Sequence, residues 1–154
     1  VIVIAIAVAI GVGFVLFRDR LSNDVASLQP GECFDEPAAG DTAVTDVQRQ
    51  PCNEAHDAEV FANVTHTAAA GATYPIALEF GDLAQDECVP RLVTYSGLTI
   101  EQLQARGVIY GYFYPTRDGW GSGDRVVMCY IINENDSKLT GSLRNVGSGA
   151  SATP

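Results

Sequence analysis

Cys33, Cys52, Cys88 and Cys129 stand 19, 36 and 41 residues apart, and this spacing limits the fold more than any other feature. A structural zinc site is usually built from close pairs such as C-x-x-C, and the chain has none. An even number of widely spaced cysteines in a small domain suits two disulfides in an oxidising compartment. Four cysteines allow three connectivities, and spacing alone does not choose among them. The expected pairing joins Cys33 to Cys52, which would bracket a hairpin. It also joins Cys88 to Cys129, which would staple a helix to a strand.

The first 17 residues, "VIVIAIAVAIGVGFVLF", carry no charge and no polar side chain. As a helix they span about 25 Å, close to the thickness of a hydrocarbon core. The chain opens on Val1, already inside the run, so upstream residues are expected. The exit, "FVLFRDRL", is bulky and charged, which argues against a cleavable signal. The organisation expected is a transmembrane helix over 1–17, a linker over 18–29, a domain over 30–145 and a flexible tail over 146–154. Arg18 and Arg20 favour a cytoplasmic domain by the positive-inside tendency. The cysteines favour the opposite side, and the domain is expected there. Ala5, Ala9 and Gly13 form one small-residue stripe, which lets a second helix approach closely in lipid. Other membrane subunits and the bilayer itself are therefore the expected partners.

The chain has nine basic and nineteen acidic residues. Without Arg18, Asp19 and Arg20 the balance is seven against eighteen. Phosphate backbones and anionic headgroups are repelled by such a surface, so a nucleic-acid partner is not expected.

Alternation of apolar and polar residues predicts strands at "GECFDE", "AVTDVQRQPC" and "DAEVFANVTHT". In the last of these, Ala58, Val60, Ala62 and Val64 are expected on one face. A helix is expected from Pro75 to Leu92, with Leu78, Leu83, Cys88 and Leu92 as its recurring apolar positions. Thr99 is placed to cap a second, short helix that Gly107 ends. "GVIYGYFYPT" sets Val108, Tyr110, Tyr112 and Tyr114 on one face. "DRVVMCYIIN" is apolar on both faces and reads as the central strand. "KLTGSLRN" reads as a final strand. The fold class expected is α+β, an antiparallel sheet stapled by disulfides with two helices on one face, following the transmembrane helix.

"CNEAHDAEVF", residues 52–61, concentrates the polar chemistry. A triad would need a nucleophile beside His56, and the near thiol, Cys52, is expected to be oxidised. No G-x-S-x-G or H-E-x-x-H occurs. The second histidine, His66, lies at the far end of the expected strand, so the pair does not converge on one metal. The residues His56, Asp57 and Glu59 read as a structural corner, with Asp57 closing an Asx-type turn. No catalytic residue, metal or cofactor is expected.

"PGECFDE", "VQRQPCNEAHDAEVF", "YPTRDGWGSGDRVVMCYI" and "KLTGSLRN" together resemble the septum formation family, a group of actinobacterial membrane-anchored extracytoplasmic domains. The family pattern runs G-D-C-F, C-x-x-P-H-x-x-E-V, W-x-x-G-D-R-x-x-x-C and L-T-G-S-L-R. Cys33, Cys52, His56, Glu59, Cys88, Trp120, Gly123, Asp124, Arg125 and Cys129 take its positions. Glu32 stands in place of the usual aspartate, and Ala55 in place of the proline before His56. The resemblance implies an envelope protein linked by name to septation, and it does not imply an enzyme. Two readings follow. In one, the chain is a non-enzymatic accessory subunit docked on a larger membrane complex, of division, respiration or transport. In the other, it is a free-standing binding or sensing domain, with Tyr110, Tyr112, Tyr114 and Trp120 as an aromatic shelf for an envelope ligand.

Overall fold

The computed structural model describes residues 24–36, 44 and 46–148. The transmembrane helix expected over 1–17, with Ala5, Ala9 and Gly13, lies outside the described residues. No helix among those described is long and apolar enough to cross a membrane.

Among the described residues, seven strands form two sheets. They are β1 (Cys33–Asp35), β2 (Gln48–Gln50), β3 (Ala55–His56), β4 (Ala58–Thr65), β5 (Val108–Phe113), β6 (Val126–Asn133) and β7 (Leu139–Thr140). The main sheet runs β2-β1-β4-β6-β5, and every pairing in it is antiparallel. β3 and β7 pair as a small second sheet. β6 is an inner strand, as its two apolar faces require, but the middle place belongs to β4.

The described residues also hold three α-helices: α1 (Ala77–Ser96), α2 (Ile100–Gln104) and α3 (Arg117–Gly121). The expected helix is present and runs four residues further than predicted. Pro90 lies inside α1 without ending it. Gly97 ends it instead, in the left-handed conformation at φ 70° that a side chain would strain. The buried stripe of α1 is Phe80, Ala84, Cys88, Leu92 and Ser96. Leu78, expected inward, is 67% exposed. The stripe is set by Cys88, which must face β6. The capping read for α2 holds in both directions. The Gln102 N–H donates to Thr99 Oγ1, and the Thr99 N–H donates to Gln102 Oε1. α3 was not foreseen; Thr116 caps it through the Gly119 N–H.

Both disulfides form with the expected pairing, Cys33–Cys52 across the β1–β2 hairpin and Cys88–Cys129 between α1 and β6. By the loop-entropy argument they restrict the unfolded chain by about 3 and about 4 kcal/mol respectively.

The face expectation for β4 is corrected by a β-bulge. Val60 pairs with Tyr130, but Ala62 pairs with Cys129, so Phe61 is an extra residue in the ladder. An extra residue moves every later side chain to the other face. Ala58 and Val60 therefore join Leu28, Phe34, Val47, Met128 and Tyr130 in a smaller core. Ala62 and Val64 join Val127, Cys129 and Ile131 in the larger core beneath the helices.

"KLTGSLRN" is not one strand. Only Leu139 and Thr140 are extended in a ladder, and Gly141 then turns the chain at φ 81°. Val146–Ser148 forms a 3-10 turn, set against Gly97.

Candidate functional site

β4 carries Glu59 into the larger core, where it is fully buried. A carboxylate there must be met by donors, and three converge on it. Tyr95 Oη donates to Oε1 at 2.5 Å, Ser142 Oγ donates to Oε1 at 2.5 Å, and the Leu143 N–H donates to Oε2 at 2.8 Å. Tyr95 comes from α1, and the other two come from the segment after β7, more than 80 residues further along. Burial first, then the hydrogen bond and the charge of Glu59, push the Tyr95 hydroxyl far above the ordinary phenol range. The next residue extends the clasp. Arg144 lies over the Tyr95 ring at 5.2 Å and donates to the Pro30 carbonyl at 3.2 Å. "PGECF", Glu59 and "SLR" thus meet at one end of the sheet.

His56 is also fully buried. Its Nδ1 lies 2.8 Å from the Glu54 carbonyl, so the proton on that nitrogen is donated there. Nε2 has no hydrogen-bond partner among the described residues. The backbone of His56 is not in a bare turn, since Ala55 and His56 pair with Thr140 and Leu139. Asp57 departs from the expected Asx turn. Its Oδ2 accepts from the Glu36 N–H at 3.0 Å, and its Oδ1 pairs with Lys138 at 2.8 Å. Lys138 also holds Asp35 at 2.7 Å. Burial alone would raise the Asp35 carboxyl, but Lys138 and Gln50 together bring it below the ordinary carboxylate range.

Cys33, His56 and Glu59 each place a ligand-type atom within 4.8 Å of the others. In the oxidised protein this trio is not a ligand set. The Cys33 sulfur is bonded to Cys52, and the Glu59 oxygens are already occupied by three donors. His66 lies beyond the other end of β4, where its ring meets Trp120 at 5.1 Å.

The second constellation sits at that other end. Trp120 of α3 is 4% exposed and donates from Nε1 to the Ala72 carbonyl at 2.8 Å. The Arg125 guanidinium stacks on its indole, 3.8 Å from the ring centroid. It donates to the carbonyls of Trp120 and Asp124 at 2.8 and 2.7 Å, and to those of Ala68 and Ala69 at 3.3 and 3.2 Å. The Asp124 carboxylate accepts from the Val126 N–H at 2.9 Å and starts β6. The aromatic residues do not form an open shelf. Trp120 packs on Phe80 and Tyr74, Tyr110 donates to Gln85 at 3.0 Å, and Tyr114 stacks on Phe80.

A family model described as "Septum formation" matches residues 25–152, which takes in both constellations and both disulfides. The chain belongs to the septum formation family. No curated protein and no solved structure matches it. The septum formation signature therefore maps onto two fasteners at opposite ends of β4. The sequence pointed to His56, Asp57 and Glu59 but not to Tyr95, Ser142, Leu143 or Arg144. No sequence signal marked them: simple alternation sets Glu59 with Asp57, Asn63 and Thr65 on the polar side of the strand, and only the bulge at Phe61 turns it into the larger core.

Proposed function

We propose that this chain is a non-enzymatic accessory subunit of septation, anchored by one N-terminal membrane helix and presenting its domain on the extracytoplasmic side. In this reading the domain docks on a larger envelope membrane complex. One observation carries it. The residues that would serve chemistry, Glu59 and the four cysteines, are spent on internal bonds, so what they preserve is a shaped surface. The two disulfides suit an oxidising compartment, and the acidic balance suits a protein partner rather than a phosphate polymer.

The test is a photo-crosslinking amino acid placed at exposed positions of α1 and β5 in the full-length protein, expressed in its native cells. Discrete crosslinks to other envelope proteins, with the protein enriched at the septum, are the expected result. Uniform distribution around the envelope without discrete crosslinks would overturn the docking reading. Protection of the domain from an impermeant protease in wall-stripped cells would overturn its sidedness.

A further inference from the structure

The main sheet has two edges of unlike character. β2 is three residues long, polar, and carries Arg49. β5 is six residues long, "VIYGYF", with no charge and no proline, and among the described residues its neighbour is β6 on one side alone. Exposed edges are normally blunted by charge, proline or a bulge, and β5 has none of these.

The ladder shows which groups β5 offers. The Glu134 N–H donates to the Gly107 carbonyl at 2.8 Å. Bonded pairs alternate in an antiparallel ladder, so Ile109, Gly111 and Phe113 bond to β6. Val108, Tyr110 and Tyr112 turn their N–H and C=O groups outward, and no described group elsewhere bonds to them. Beside this edge an apolar groove of about 280 Å³ runs between α1, α2 and β5, lined by Val89, Leu92, Ile100, Leu103, Val108 and Tyr110. Exposed Asp82 and Asp86 flank groove-lining Gln85 on α1, exposed Glu101 adjoins Ile100 on α2, and Arg106 stands at the Gly107 end.

We propose that β5 accepts an extended basic segment of a partner protein as a sixth strand. The segment pairs with the outward groups of Val108, Tyr110 and Tyr112. Apolar side chains on its groove-facing side enter the groove, and Lys or Arg residues on that same side, before and after the apolar ones, meet Asp82, Asp86 and Glu101. A second copy of this chain fits less well, because it would bring the same acidic rim and a net charge of −10 to the contact. The proposal rests on the docking reading above and names its surface and the chemistry of its partner.

The test uses the full chain with its disulfides intact and three labelled octapeptides. All have threonine at every second position; at the positions between, one carries lysine, valine, valine and lysine, one carries glutamate, valine, valine and glutamate, and one is the lysine peptide with a central proline. The lysine peptide is expected to bind, with affinity falling as salt is raised. The proline peptide should bind about tenfold more weakly, because it lacks a ladder donor, and the glutamate peptide should not bind. Binding should slow amide exchange at Tyr110 and Tyr112. Ile109→Lys, at a partly exposed position, keeps the fold and should abolish lysine-peptide binding, whereas Ile109→Glu should retain it. Equal binding of the lysine and proline peptides, or no new protection at Tyr110 and Tyr112, would overturn the proposal. So would a dimer that Ile109→Lys dissolves. If Ile109→Lys loses the peptide but keeps its crosslinks in cells, the β5 surface is wrong and the docking reading stands. If crosslinks are absent from the unmodified chain while the peptide binds, the reverse holds.

Discussion

Glu59 and Arg125 both tie the sheet to chain segments far away in sequence, one at each end of β4, and they do so under opposite conditions. Glu59 takes a negative charge out of water entirely, and the fold must supply every donor. Arg125 stays half-buried, lies on an indole and spends its donors on four carbonyls. The first arrangement is all-or-none, because a missing partner leaves a buried group with nothing to bond. The second is graded, because solvent can replace a carbonyl contact. A signature residue therefore says nothing about tolerance until its burial is known.

The largest expected effect comes from emptying the buried end. Glu59→Ala orphans the donors of Tyr95, Ser142 and Leu143, and should cost about 4 kcal/mol at roughly 1–2 kcal/mol per donor left without its acceptor, read as a lowered urea midpoint. The segment after β7 should become protease-sensitive first. A loss under 1 kcal/mol would show that the donors rebond easily and that the contrast is false.

An alkaline shift comes next. Burial, with the charge of Glu36 behind it, pushes Tyr130 up to about 12, and Tyr95 is raised too. Both are acids whose folded-state value is raised, so the unfolded chain loses these protons first. Stability is then complete below about pH 10 and falls as the pH rises toward about 12, by about 2 to 3 kcal/mol for Tyr130 alone. Denaturation series across that window should show the fall. Tyr95→Phe should make it shallower, while a change at Arg125 leaves its slope alone.

Arg125→Ala should cost about 2 kcal/mol, from the lost stacking and charged hydrogen bonds, and Arg125→Lys should recover only part because it lacks the planar fork. A cost matching that of Glu59→Ala would erase the distinction between the two ends. His56→Ala is expected to be milder, roughly 1–2 kcal/mol. It loses the bond to Glu54 but also removes Nε2, which has no partner among the described residues. Partner capture at temperatures where the domain stays folded should be unchanged. Selective loss of capture with an unaltered melting temperature would make His56 a contact residue.

Legibility in the sequence followed the physics of each element. The cysteine spacing, the aromatic face of 108–114 and the unbroken apolar run of 126–132 needed no tertiary knowledge. The bulge could not be read, because Ala58, Val60, Phe61, Ala62 and Val64 are all apolar and a phase shift leaves no trace among them. α3 was hidden by Gly119 and Gly121, two poor helix formers in five residues. The partners of Glu59 were hidden for a different reason. One of them is a backbone N–H, which every residue but proline possesses.

The bulge at Phe61 also has a meaning for how the molecule comes apart. Before it, β4 serves the smaller core, and after it the same strand serves the larger. Neither core can dissolve without disturbing the ladder that holds the other half of β4. Two separate apolar clusters would ordinarily allow two melting steps, yet here one strand is common property. The domain should therefore melt in a single transition, with calorimetric and van't Hoff enthalpies in agreement. A weakened residue in one core should make a weakened residue in the other more harmful than the sum of the two.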